Sequence, residues 1–173
     1  MNIYETEEGI IVRPFHAEED DIDALTDLLH RAYRPLAEQG LQYLATHQGP
    51  EVTRERLEKG QGFIAWDQGI PVATITYYGP EVPKDGNWYK QPGVGVVGQF
   101  GVLPDYQSNG LGSFLLATVE QVAREQGSTE LALDTSVGAA HLRAFYERRG
   151  YRFIEYADWD VTNYQSIVLS KTL

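Results

Sequence analysis

The chain has 173 residues, 42% hydrophobic and 23% charged, the proportions of a folded globule rather than of a disordered or membrane-embedded chain. Asp and Glu number 25 against 14 Lys and Arg, a formal charge of -11 that repels phosphate backbones and anionic lipid, so no nucleic-acid or membrane partner is expected and a cationic small substrate fits better. The absence of cysteine excludes disulfides, thiolate nucleophiles, covalent thioester intermediates and cysteine-ligated metal centres. No apolar run approaches the ~20 residues of a transmembrane helix, and the N-terminus has no basic stretch followed by an apolar one. A single domain over residues 1–173, in the cytoplasm, is the expectation.

Strand-like and helix-like segments alternate, which reads as an α/β fold. Ile10, Ile11 and Val12 place a first strand at Gly9–Pro14. Ile22, Leu25, Leu28, Leu29, Ala32 and Tyr33 recur at spacings of three and four, an apolar helical stripe that Pro35 is expected to stop. Leu36 to Gly60 carries little period, apart from a helix expected at Val52–Lys59. Phe63–Trp66 and Val72–Tyr78, joined around Gln68-Gly69, read as a hairpin. Three prolines (80, 83, 92) and four glycines (79, 86, 93, 95) make Gly79–Gly95 a long loop. A strand at Val96–Leu103 leads through a turn into a helix whose Leu111, Phe114, Leu115, Val119 and Val122 share a face. Glu130–Asp134 reads as a strand, Ala139–Arg149 as a helix closed by Gly150, and Tyr151–Tyr156 and Tyr164–Leu169 as the last strands. There is no internal repeat and no low-complexity segment.

The densest chemical signal is Gln107-Ser108-Asn109-Gly110-Leu111-Gly112, between a strand and a helix. Glycines at 110 and 112 let backbone amides approach a bulky anion, and the helix start adds unpaired N–H groups and a positive dipole end. Such a loop fits a phosphate-bearing cofactor; a tight turn before a helix is the plainer reading of two glycines among 17. No Gly-Lys-Ser/Thr follows, so it is no Walker loop, and the three-glycine dinucleotide fingerprint on a first strand–helix turn is also lacking.

Gln107 to Gly112 resembles the Arg/Gln-x-x-Gly-x-Gly/Ala signature of the GNAT superfamily of N-acetyltransferases, and Phe100-Gly101-Val102-Leu103-Pro104 looks like its preceding strand. Phe145-Tyr146-Glu147-Arg148-Arg149-Gly150-Tyr151 is similar to the family's closing helix and strand. The order of elements along nearly the whole chain resembles that fold, a mixed, mostly antiparallel central sheet flanked by helices. The resemblance implies transfer of an acetyl group from acetyl-CoA to an amine, with a small-molecule acceptor expected, by direct attack in a ternary complex. It also implies that amides of Gln107, Ser108, Asn109, Gly110, Leu111, Gly112 and Ser113 hold the pyrophosphate. The pantetheine arm would lie along the backbone of Phe100, Gly101 and Val102, and the Val102 N–H would stabilise the oxyanion. Tyr146 would point at the cofactor sulfur and protonate the departing thiolate, a sensible task for a phenol of pKa about 10. A core tyrosine on an amphipathic helix is the other account of Tyr146.

Two positions depart from the family pattern. Ala139 stands where many members have an asparagine, so a side-chain contact to pantetheine is missing or falls to a neighbour such as Ser136. The glutamate common on the fourth strand is also missing, with Gln99 the one polar residue of Val96–Val102. Asp134 is the substitute proton acceptor, unless it braces a loop or the amine arrives neutral. The family's acceptor-side elements here supply Tyr33, Tyr43, Tyr77, Tyr78, Trp88 and Tyr89, with Tyr33, Tyr77 and Trp88 the leading contacts. They form an aromatic wall on which a cation could stack, or scattered core and surface aromatics.

His16, His30, His47 and His141 include no i,i+4 pair, so no metal site is expected; His141 lines the cofactor channel or is solvated. Arg143, Arg148 and Arg149 reach the CoA 3′-phosphate, or the last two complement their helix dipole. A non-catalytic acetyl-CoA-binding sensor or partner module is the competing function, and a hydroxyl acceptor a third. Family members are often dimers, and the C-terminal strands, with Trp159 and Tyr164, would supply the contact of a homodimer. Nine carboxylates (Glu5, Glu7, Glu8, Glu18, Glu19, Asp20, Asp21, Asp23 and Asp27) crowd the first 30 residues against Arg13 alone. Those from Glu18 to Asp23 sit at the first helix start, favoured by its dipole, and the cluster is distant in sequence from the glycine loop.

Overall fold

In the computed structural model, which describes residues 3–173, eight strands form one sheet. They are β1 (Tyr4–Glu5), β2 (Ile11–Pro14), β3 (Gln61–Asp67), β4 (Ile70–Tyr78), β5 (Val94–Val102), β6 (Glu130–Ser136), β7 (Arg152–Asp158) and β8 (Gln165–Thr172). Their order is β1-β2-β3-β4-β5-β6-β8-β7, and only β5 and β6 run parallel, which is the expected mixed, mostly antiparallel sheet. Helices α1 (Ile22–Glu38), α2 (Leu44–His47), α3 (Pro50–Lys59), α4 (Leu111–Glu125) and α5 (Ala140–Glu147) complete the fold. A Cβ at Gly101 would meet Ala32, Tyr33 and Leu29 of α1, whereas one at Gly112 of α4 would meet Val102. Neighbouring strand residues face opposite ways, so α1 and α4 cover opposite faces. Leu111, Leu115, Leu116, Val119 and Val122 bury the inner side of α4 on the face of Ala73, Ile75 and Val97 in the main core.

Pro35 does not end α1 but lies inside it, one turn from its C-terminus. So late in the helix the proline forfeits a single N–H bond, and the following turn is retained by Leu36, buried beside Tyr43 and Ala139. The hairpin β3–β4 turns on Gln68 and Gly69, both at positive φ (49° and 82°), between the paired Asp67 and Ile70. That is the backbone of a two-residue type I′ turn, whose twist matches the strands it joins. The short α2 and β1 had no sequence signal, and β5 starts at Val94, two residues before the expected strand.

Two irregularities of β5 place the site. Thr74 pairs with Gly101 but Thr76 with Gly98, so β5 carries an extra residue around Gln99, which takes φ +47°. Such a bulge bends its strand and re-aims the side chains on it. The parallel ladder with β6 stops at Val96–Ala132, while β6 stays paired to β8 as far as Ser136–Ser166. Beyond Val96 the sheet therefore splits between β5 and β6.

The N-terminal carboxylates divide their tasks. Asp21 is the N-cap of α1, accepting from the amides of Asp23 and Ala24. Asp20 is buried and accepts from Arg13 Nη2 at 2.7 Å, Arg13 Nη1 at 3.0 Å and the His16 amide at 2.7 Å, pinning the end of β2 to the start of α1. Burial alone would raise its pKa, but the Arg13 and His16 donors outweigh it and hold the carboxyl below the usual range. A lowered folded pKa means stability that is present above the unfolded value of about 3.9 and is lost as pH falls through the folded one. Asp20→Asn is expected to cost about 2 kcal/mol at pH 7, read from urea unfolding, with the gap to wild type closing below pH ~4.

Candidate functional site

A cavity of about 380 Å³ fills the split between β5 and β6. Phe100, Gly101 and Val102 line it from β5, Asp134 and Thr135 from β6, Ala32 and Tyr33 from α1, and His141, Phe145, Tyr146 and Arg148 from α5 and its end. The Leu103 amide donates to Val72 O at 3.0 Å, on the β4 side. Successive residues of a strand direct their peptide groups to opposite edges, so Val102 presents its N–H and C=O to the split. Its carbonyl accepts from Gln107 Nε2 at 2.9 Å, which ties the glycine loop to the strand end. The Phe100 carbonyl is held from the other side by the Tyr33 hydroxyl, at 2.5 Å.

From Val102 the chain makes a 3-10 turn (Pro104–Tyr106) and reaches Gly110, the N-cap of α4, at φ +79°. No side chain caps this helix, so the amides of Leu111, Gly112 and Ser113 keep no intrahelical partner. The Ser113 hydroxyl is taken by Arg149, from Nε at 2.9 Å and also from Nη2. Arg149 itself stacks 3.6 Å over the Phe145 ring. Arg143 pairs with Glu147 at 2.7 Å and lies over Phe153, which leaves Arg148 as the arginine of the three that lines the cavity.

The acidic N-terminus, distant from this loop in sequence, is close to it in space. Glu5, Glu7, Glu8 and Asp67 line a second cavity, of about 510 Å³, together with Asn109 and Gly110. Carboxylates on that side disfavour an anion there, so the loop is open to a phosphate group on the side of Arg148. Tyr106, which donates to Asp67 at 2.6 Å, forms part of the partition.

Tyr33, Tyr43 and Tyr146 line the cavity and Tyr89 reaches its Asp134; of the four, three are engaged. Tyr33 holds the Phe100 carbonyl, Tyr43 joins Thr135 Oγ1 at 2.8 Å and the Ser136 amide at 3.1 Å, and Tyr89 donates to Asp134 Oδ1 at 2.5 Å. Tyr146 packs edge-on to Phe145 and Tyr151, and no described residue hydrogen-bonds its hydroxyl. Burial raises its pKa, keeping the phenol protonated. Asp134 also accepts from Trp159 Nε1 at 3.0 Å. Burial pushes its carboxyl above the usual range, and the Tyr89 and Trp159 donors pull part of the way back.

Other expected residues lie elsewhere. Tyr77 is fully buried in the main core with its hydroxyl on Ser128 at 2.5 Å, and Trp88 packs with Tyr89, Val94 and Val168 in a satellite cluster, so neither lines the cavity. Ser136 is buried and its Oγ accepts from the Gly138 amide at 3.0 Å. Ala139 is enclosed beside Leu36 and Tyr43. Trp159 and Tyr164, placed by sequence on a dimer contact, turn inward, Trp159 onto Asp134 and Tyr164 against Tyr43 with ring centroids 4.8 Å apart. Trp159 as a donor to Asp134 is the contact sequence reasoning missed, since nothing local links the two positions. Among the described residues no cluster of His, Asp or Glu is placed to hold a metal, and no helix is long and apolar enough to cross a membrane.

Free amides at an uncapped helix start, a glycine in the left-handed region and a neighbouring arginine fit a diphosphate group. A Cβ on Gly110 would meet nothing within 4 Å, so a glutamate there fits the fold while placing a negative charge on the loop. Gly110→Glu is expected to leave the fold intact, at a backbone cost of about 1–2 kcal/mol, and to abolish acetyl-CoA binding by calorimetry. Unchanged affinity in that variant would remove the loop from the cofactor site.

A family model described as Acetyltransferase (GNAT) family matches residues 22–151. The S-(2-succino)cysteine N-acetyltransferase of Bacillus subtilis (strain 168) is 30% identical over 140 residues, 78% of this chain and 81% of that protein. The S-alkylcysteine N-acetyltransferase of the same organism is 29% identical over 150 residues, covering 82% and 80%. Among solved structures, a GCN5-related N-acetyltransferase from Rhodopseudomonas palustris superposes with a TM-score of 0.73 at 21% identity, covering 100% of this chain and 99% of that one. A GNAT family acetyltransferase from Elizabethkingia anophelis, with acetyl-CoA bound, gives 0.65 at 18% identity, covering 95% and 98%. With the family model spanning the helices and strands that build the split, the chain belongs to the GNAT family of acetyltransferases and is an N-acetyltransferase that draws its acetyl group from acetyl-CoA.

Proposed function

We propose that this enzyme acetylates the amine of a small amino acid carrying a substituent on sulfur, an S-substituted cysteine, within one catalytic domain. The names of the two curated relatives support the acceptor class. The observation that carries the chemistry is the convergence on one cavity of an unengaged tyrosine hydroxyl, an outward-facing strand amide and a buried carboxylate.

In this reading the acetyl-CoA diphosphate lies on the amides of Ser108 to Ser113, the expected Gln107 amide being bonded instead to Pro104 O at 3.2 Å, and the pantetheine arm occupies the open edge of β5 at Phe100 to Val102. The acceptor arrives as an ammonium drawn to Asp134, which takes one proton and leaves a neutral amine. Attack on the thioester carbonyl forms the C–N bond, and the Val102 N–H stabilises the oxyanion that develops. The C–S bond then breaks, and Tyr146 donates its proton to the sulfur as charge grows there. The acetylated nitrogen loses its second proton, which restores the phenol. The balance is one amide, one free thiol and one proton passed from Asp134 to solvent. Tyr33 acts on the acceptor side by fixing the Phe100 carbonyl and so the course of β5.

Tyr146→Phe is expected to lower kcat by about 100-fold or more with little change in KM for acetyl-CoA, because a general acid acts only in the transition state. Asp134 must be ionised to accept a proton. Its raised pKa therefore sets the acidic limb of kcat/KM above the ordinary carboxylate range, and Asp134→Asn should lower the rate and remove that limb. Thiol release across a panel of S-substituted cysteines and other amines measures both. A wild type that binds acetyl-CoA yet releases no thiol with any amine would falsify the catalytic reading and leave a binding module.

A further inference from the structure

On the α1–α3 side of β5 a chain of side chains runs through hydrogen bonds that the transfer chemistry leaves unused. Arg56 of α3 donates from Nη1 to Gln48 Oε1 at 2.8 Å. Gln48 Nε2 donates in turn to Gln99 Oε1 and to Thr53 Oγ1, each at 2.8 Å. A guanidinium can only donate, so Arg56 fixes which way the Gln48 amide faces, and Gln48 fixes the Gln99 amide. The chain ends on Gln99 Nε2, a buried NH₂ group with no partner among the described residues. Gln99 is 3% exposed, occupies the β5 bulge and holds a left-handed backbone that a residue with a Cβ adopts only under strain. Thr76 Oγ1, facing Gly98 across the β4–β5 ladder, is a second buried polar atom without a partner.

Arg56 is half-buried, and no carboxylate among the described residues pairs with it. A Cβ at Gly98, next to the bulge, would lie 3.7 Å from its Nη2, so the guanidinium sits directly over β5. Strained backbone and unpaired donors gathered at one place mark a site whose missing partner is a ligand.

We propose that Arg56 and the Gln99 amide bind a carboxylate of the acceptor, with Gln48 as the positioning residue that aims both. The proposal rests on the S-substituted cysteine reading and deepens it, since that acceptor carries an anionic group as well as an amine. Gln99 directly precedes Phe100, which lines the cavity, and the Arg56 charge pulls back the burial-raised pKa of Asp134 and of Tyr33, both in the cavity wall. A negative Asp134 for the ammonium and a positive Arg56 for the carboxylate then orient a zwitterion in one direction only.

The test compares an S-alkylcysteine with the matching S-alkylcysteamine, which has the same amine and thioether but no carboxylate. Arg56→Gln removes the charge, and Gln99→Glu keeps the shape and the bond from Gln48 while replacing the free donor by an acceptor. Both variants should raise KM for the S-alkylcysteine about 10- to 100-fold, while kcat, KM for acetyl-CoA and turnover of the cysteamine stay near wild type. Equal losses on both acceptors, or no loss on either, overturn the carboxylate site. Wild type that acetylates S-alkylcysteines with Arg56→Gln equally effective sinks this site alone. Wild type that ignores S-alkylcysteines, whether or not it accepts cysteamines, overturns the acceptor reading together with the site.

Discussion

The split between β5 and β6 is the constraint on which the rest of the molecule depends. A sheet normally satisfies every backbone N–H and C=O of its inner strands, yet the parallel ladder stops after Val96 while both strands continue. The bulge at Gln99 bends β5 away, and β8 keeps β6 in place by pairing as far as Ser166. The result is an interior strand edge open to an extended ligand. The same edge delivers the chain, through Val102 and the 3-10 turn, to the uncapped start of α4. Strand edge, helix start and cavity are thus products of one local departure from regular pairing.

An acidic protein that binds a polyanion is less paradoxical than its net charge suggests. At physiological ionic strength charges are screened over ~8 Å, so the amide dipoles next to a phosphate outweigh carboxylates farther away. The carboxylates that do come near the loop, Glu5, Glu7, Glu8 and Asp67, lie on its far side, beyond Asn109 and Gly110. Asp20 and Asp21 are spent on structure, one clamped by Arg13 and the other capping α1. Acidity therefore limits the direction of approach rather than opposing binding.

The parts of this arrangement that depend on local rules were legible in the sequence. The apolar spacing of α4, the glycines before it and the Gln68-Gly69 turn each follow from neighbours a few residues apart. Pro35 misled because a proline stops a helix only where nothing downstream repays the lost bond, and Leu36 does so through a contact far along the chain. The aromatics were the hardest to place. Tyr77 and Trp88 differ from Tyr33 and Tyr43 in nothing but what the folded chain packs against them, and the first two ended in core clusters. The same holds for Trp159, which finds Asp134 through a loop with no local pattern. Gln99 was read only as a missing acid, since a bulge and an unpaired amide appear only once β4 and β5 are in register.

Tyr33, Tyr43 and Tyr146 in the cavity wall, and Tyr89 on Asp134, have different tasks. All four lie in surroundings that raise the pKa of a phenol, so burial alone selects none of them as an acid. Hydrogen bonding is what distinguishes them. Tyr33 and Tyr89 already donate hydrogen bonds to a carbonyl and a carboxylate, and Tyr43 is shared between a threonine and an amide. A hydroxyl so engaged would have to break a buried bond before it could serve a leaving group, at a cost of about 1–3 kcal/mol. Tyr146 bears no such cost. The three engaged tyrosines instead fix β5, the Thr135–Ser136 end of β6 and the Asp134 carboxylate, and so hold steady the walls around the unengaged hydroxyl.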